Sequence, residues 1–246
     1  MKPSRLNHIG LALIPLVFAT LPASAQATQP LFAVSDVDRD TVPAGTPEAF
    51  WAVFGESPRN EAERTVKGEK ITFVPLTLVK LPGDVTALVS TGASDCDAHA
   101  CSGINAVHYL RRSKDSYRYV KAGEWLDVGA RGTWGSPAAR WGTTDAITGT
   151  PVLYTQGGGT WQGYSCDVAV LTELGAKGPV EIARVPIYYS DASRDDGPTL
   201  RGTIAAAERG RSFTVSYAGS DSFSERYVRG ADGRYSLEGK TRMKRC

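Results

Sequence analysis

The sequence has almost no net charge, few histidines and cysteines, and no long apolar run beyond its first two dozen residues. Each shortage excludes something. Lys and Arg number 28 and Asp and Glu 26; removing Lys2 and Arg5 with the first 25 residues leaves bases and acids equal at 26 each. A neutral chain has no bulk attraction to a polyanion, so nucleic acid is not an expected partner. Apolar segments such as Ile71 to Leu81 are broken by Thr, Pro and Lys, so no transmembrane segment is expected in the mature chain. The histidines are three, of which only His99 and His108 follow the first 25 residues, and neither has a catalytic motif beside it. No G-x-S-x-G nucleophile elbow occurs: Gly92-Ala93-Ser94-Asp95-Cys96 lacks the last glycine. Regular alternation of strand and helix patterns is missing too, which argues against a dinucleotide-binding α/β fold. No cofactor motif is found, so no cofactor is expected.

What is present begins with an export signal. Lys2 and Arg5 form a positive head, Ile9 to Leu21 an apolar stretch, and Ala23-Ser24-Ala25 a small-residue cleavage site. The expected division is a cleavable signal over 1–25, an extended leader with short helices over 26–68, and a β domain over 69–246. Localisation is then periplasmic or secreted. Four cysteines follow the signal, Cys96, Cys101, Cys166 and Cys246. An even count in an oxidising space reads as disulfides, and three pairings are open on paper. The expectation is Cys96–Cys101 and Cys166–Cys246.

Thr46-Pro47-Glu48 reads as a helix start, with a capping hydroxyl, a proline at the first position and an acid in the first turn. Gly55 stops it. A second short helix is expected from Ser57 to Gly68. Strand patterns then dominate: Lys70 to Leu81 with Pro75 marking an edge or a bulge, Val85 to Thr91, Ile104 to Arg112, Trp125 to Ala130, Pro151 to Thr155, Tyr164 to Leu174 and Val180 to Ser190. Four more follow, Leu200 to Ala207, Ser212 to Ala218, Phe223 to Arg229 and Arg234 to Glu238. Phe213, Val215 and Tyr217 alternate with Ser212, Thr214 and Ser216, the period of a strand with one wet face. The fold class is mainly β, an antiparallel sandwich or barrel-like domain with one or two short N-terminal helices.

Two regions could carry chemistry. The first is Asp95-Cys96-Asp97-Ala98-His99-Ala100-Cys101. Oxidised, it offers Asp95, Asp97 and His99 as a metal site; reduced, Cys96, His99, Cys101 and His108 are zinc-ligand types. The bland alternative is a disulfide-stapled hairpin tip. His108 shares parity with Ile104, Ala106 and Leu110, so it reads as a buried, hydrogen-bonded core histidine. The second region is aromatic and glycine-rich: Trp125, Trp134, Trp141, Tyr154, Trp161 and Tyr164 around Gly157-Gly158-Gly159. Exposed Trp and Tyr stack on sugar rings or anchor a protein, and Trp134, Trp141, Trp161 and Tyr164 are the candidate ligand-binding residues. The alternative is that these rings fill the core. Gly132-Thr133-Trp134 echoes Gly159-Thr160-Trp161, too short to count as a repeat.

Weaker signals are Asp36-Val37-Asp38-Arg39-Asp40, which lacks the glycine and glutamate of a calcium loop, the acidic turn at Asp191, Asp195 and Asp196, the scattered acids Glu124, Asp145 and Asp167, and the basic end Lys240, Arg242, Lys244 and Arg245. The functional expectation is non-catalytic binding of a protein or glycan in a bacterial envelope. The competing expectation is an envelope hydrolase using carboxylates, or a metal near Asp95, Asp97 and His99.

Overall fold

The computed structural model describes residues 29–114 and 118–244. The expected signal over 1–25 and Cys246 lie outside the described residues. In chain order the elements are β1 (Ser35–Asp36), α1 (Thr46–Phe54), β2 (Ala62–Val66), β3 (Glu69–Leu81), β4 (Val85–Ser94), β5 (Ile104–Arg112), β6 (Tyr119–Leu126) and β7 (Arg140–Thr144). Then come β8 (Val152–Trp161), β9 (Tyr164–Gly175), β10 (Gly178–Asp191), β11 (Thr199–Glu208), β12 (Ser212–Gly219), β13 (Phe223–Arg229) and β14 (Tyr235–Leu237). The protein is mainly β, as the strand patterns imply.

All pairings are antiparallel and nearly all join sequence neighbours. The shorter sheet runs β2-β3-β4-β5-β6, and the longer runs β1-β7-β8-β9-β10-β11-β12-β13-β14 and curls into a half-barrel. Short turns make this meander. Lys67-Gly68 and Gln162-Gly163 both have positive φ, the two-residue loop whose twist matches that of its strands. Of the edge or bulge expected at Pro75, the structure has the bulge: a register shift between Pro75 and Thr77 in β3, which pairs with both β2 and β4.

Burial explains the layers. β4 and β5 are almost continuously buried, because both faces of the shorter sheet are covered. One face packs under α1, with Phe50, Phe73, Leu88 and Leu110 inside. The other meets the long sheet through Leu76, Val89 and Val107 against Leu153 and Leu174. Tyr109 seals this contact by donating its hydroxyl to the Gly175 carbonyl at 2.9 Å. The curl of the long sheet encloses a separate core, including Val185, Phe213, Tyr217 and Tyr227.

Three local expectations are corrected. Residues 57–68 form a turn and then β2, not a second helix. Ala62 and Val66 share a face at either period, and pairing with β3 across Lys67-Gly68 decides for the strand. Thr46 does not cap α1: Gly45 holds the cap position with φ 79°, and the Thr46 hydroxyl donates to the Pro43 carbonyl. The strand expected over Trp125 to Ala130 ends at Leu126, because Asp127 and Gly129 take positive φ. The backbone there is bound elsewhere, as Asn105 Nδ2 donates to the Val128 and Ala130 carbonyls. The expected extended leader is tied down: Phe32 is buried against Tyr154, and the Leu31 amide donates to the Ile204 carbonyl.

Candidate functional site

The site forms where the β4–β5 hairpin tip meets a tight loop and the β8–β9 hairpin. The tip is closed by Cys96–Cys101, whose Cα atoms are 5.9 Å apart. Its neighbour is the loop 131–137, a miniature hairpin bridged at Arg131 and Pro137. The loop is knitted to the tip: Ser94 N donates to Gly135 O, Gly135 N to Cys101 O, and Gly103 N to Ser136 O. A Cβ on Gly135 would strike the carbonyls of Ser94 and Cys96, so glycine is required for this approach. Beneath, the Thr155 hydroxyl accepts the Ala130 amide at 2.8 Å.

The loop turns through Trp134 and Gly135, both at positive φ (55° and 69°), with the Ser136 amide donating to the Thr133 carbonyl. Such a turn favours Asn-Gly. An indole there is unusual, since the left-handed conformation costs a side chain with a Cβ about 1–2 kcal/mol. That strain is not offset by burial: Trp134 remains 60% exposed. Strained backbone held by its surroundings is a recurrent mark of functional sites.

Trp161 ends β8 beside the Gln162-Gly163 turn, directly opposite Tyr164, and these rings are 45% and 38% exposed. His99 stands between the two tryptophans. Its ring is 5.3 Å from Trp134 and 5.4 Å from Trp161, nearly perpendicular to both. Its Nε2 is 2.8 Å from the Thr160 carbonyl, which ties the tip to β8. The two Gly-Thr-Trp runs, distant in sequence, therefore converge on one imidazole.

The remaining predicted residues separate. Trp141 packs against the core shared by the two sheets, as does Trp125, which lies 4.7 Å from Tyr109; the core alternative holds for these two. Asp95, Asp97 and His99 do not gather: among the described residues no group of three His, Cys, Asp or Glu is placed to hold a metal ion. Cys96 and Cys101 are bonded to each other, and His108 lies at a distance on β5, fully buried. His108 reaches Glu124 Oε2 at 3.1 Å and packs edge-on to Phe54, as a core histidine. Burial pushes its pKa down, outweighing the pull of Glu124. No described cysteine is free, and the expected Cys166–Cys246 pairing falls on Cys246, outside the described residues.

The weaker acidic signals are ordinary turns and pairs. Asp38 accepts the Asp40 and Thr41 amides. Asp36 pairs with Arg140. Asp191 accepts the Ser193 amide and hydroxyl. No described helix is long and apolar enough to cross a membrane.

What sequence reading missed is the loop 131–137 and the part of His99, which it placed among metal ligands. The available signal was the repeated Gly-Thr-Trp. The chain matches no known family model, no curated protein and no solved structure, so its function rests on the chemistry of this aromatic cluster.

Proposed function

We propose that this is an exported binding protein of a bacterial envelope, and that Trp134, Trp161 and Tyr164 form a platform that stacks on the sugar rings of a glycan. The observation that carries this reading is Trp134, held in a left-handed turn with its indole in solvent beside a second exposed tryptophan. A flat apolar ring with a polar edge suits the apolar face of a sugar. The surround favours a glycan over a protein. It is polar and open, with Asp95 and Asp97 exposed in the hairpin tip that carries His99, whereas a protein hot spot lies in a well-packed, fully desolvated pocket. His99 acts as a spacer that fixes the indoles. Export is supported by the signal pattern in residues 1–25 and agrees with the Cys96–Cys101 link.

The test is affinity electrophoresis of the mature chain through soluble envelope polysaccharides, neutral and anionic, with tryptophan fluorescence as second readout. Trp134→Ala and Trp161→Ala are expected to weaken retardation at least about tenfold, as loss of an anchoring aromatic does, with little change in thermal stability. Full retention by both variants would sink the proposal. So would a loss of fold in place of a loss of binding, which would make the rings core.

A further inference from the structure

A second feature lies away from the tip. β9 and β10 on one side, and β14 with the segment after it on the other, bound a groove of about 1220 Å³. Small-molecule sites usually occupy about 300–1,000 Å³, so this groove has room for an extended ligand. Its walls are mostly apolar: Val168, Pro186, Tyr188 and Leu237 present half-buried side chains beside buried Ile182 and Ala183.

Four exposed cations line the same groove, Arg184, Arg234, Lys240 and Lys244. Arg184 is neutralised by a two-pronged pair with Glu181, at 2.7 and 2.8 Å. Among the described residues the other three have no carboxylate partner; Lys244 lies over the Tyr189 ring at 5.6 Å. Asp167 also lines the groove, its carboxylate held by Gln156 Nε2 at 2.8 Å; against that one negative charge, the three cations still leave the groove positive. The wall that carries the cations is built, not draped. Glu225 Oε1 accepts the Thr241 hydroxyl and the Arg242 amide, each at 2.7 Å, and Met243 is buried.

An apolar trough leaves three cations unanswered if its occupant is uncharged. A simple anion leaves the trough empty. We propose that the groove is a second binding site, for an acyl chain with a phosphate head group: the chain lies along Val168, Pro186 and Leu237, and Arg234, Lys240 and Lys244 hold the head. Phosphate suits several cations at once, since it carries more charge and more acceptors than a carboxylate. The site is separate from the aromatic platform, although Trp161 borders both.

The experiment titrates the mature chain with dodecyl phosphate below its micellar concentration, by calorimetry. Dodecyl maltoside and inorganic phosphate are run in parallel. Dodecyl phosphate is expected to bind at least tenfold more tightly than either. The double variant Lys240→Glu/Lys244→Glu is expected to lose at least tenfold in affinity with its melting temperature unchanged, as its side chains are exposed; Arg234→Glu serves if the pair does not fold. Trp134→Ala is expected to keep full affinity, which separates this site from the glycan platform. Equal binding of the uncharged detergent overturns the proposal by leaving only an apolar patch. Equal binding of inorganic phosphate overturns it by leaving only an anion site. Loss of binding in Trp134→Ala overturns it by moving the amphiphile to the platform.

Discussion

At the scale of single residues, Trp134 sets stability against function. Its backbone conformation is one that Asn adopts readily and an indole does not. Trp134→Asn is therefore expected to raise unfolding stability by about 1 kcal/mol, read as a higher urea midpoint, while it abolishes binding at the platform. A destabilised variant would mean that the ring packs more than its 60% exposure implies. His99 shows how residue type alone misleads. Acids and sulfurs beside it suggest a metal, yet its ring nitrogen serves the Thr160 carbonyl and its faces and edges serve two indoles. Nothing in the local sequence distinguishes those duties, because both of its tryptophans come from other parts of the chain.

At the scale of elements, the glycine run of β8 positions the loop that carries Trp134. A Cβ on Gly157 would run into the Arg131 backbone, and one on Gly159 would meet Thr133 and the Trp161 ring. The strand is bare so that loop 131–137 can lie on it. Gly157→Ala is expected to cost about 1–3 kcal/mol, as overpacking does. It should also loosen the platform, seen as weaker glycan retardation and altered tryptophan fluorescence. Retention of both properties would mean the loop is not seated on β8. Strands with a clear period or β-branched runs, such as β5 and β12, coincide closely with expectation. β1, β2 and β7 do not, since their own residues carry little pattern and their partners hold them in place.

For the molecule as a whole, the two sheets are joined through one shared core, and on the other face of the shorter sheet His108 is expected to make folding sensitive to acid. The imidazole lies between α1 and the shorter sheet, and burial lowers its pKa below the ordinary value near 6.5 despite Glu124. Folding thus favours the neutral ring. The contribution is intact above about pH 6.5 and is lost as pH falls through the folded value. Urea midpoints of the wild type should fall on acidification from about pH 6.5 towards pH 5. His108→Gln should be less stable at neutral pH but flatter across that window. An unchanged slope in the variant would assign the acid sensitivity to other groups.

The sequence by itself determined the class of the protein. Period-2 alternation, glycine-rich turns and an even set of cysteines are local properties, and they act on a few neighbouring residues whatever the rest of the chain does. They led to an antiparallel β body, to a buried His108 and to the Cys96–Cys101 tip. Only the tertiary structure decided which tryptophans are core and which are exposed. It brought Trp134 and Trp161 to His99, and it set three cations around an apolar groove. Those outcomes depend on contacts between segments tens of residues apart. Side-chain chemistry is written in the chain, but the company a side chain keeps is settled by the curl and packing of the sheets.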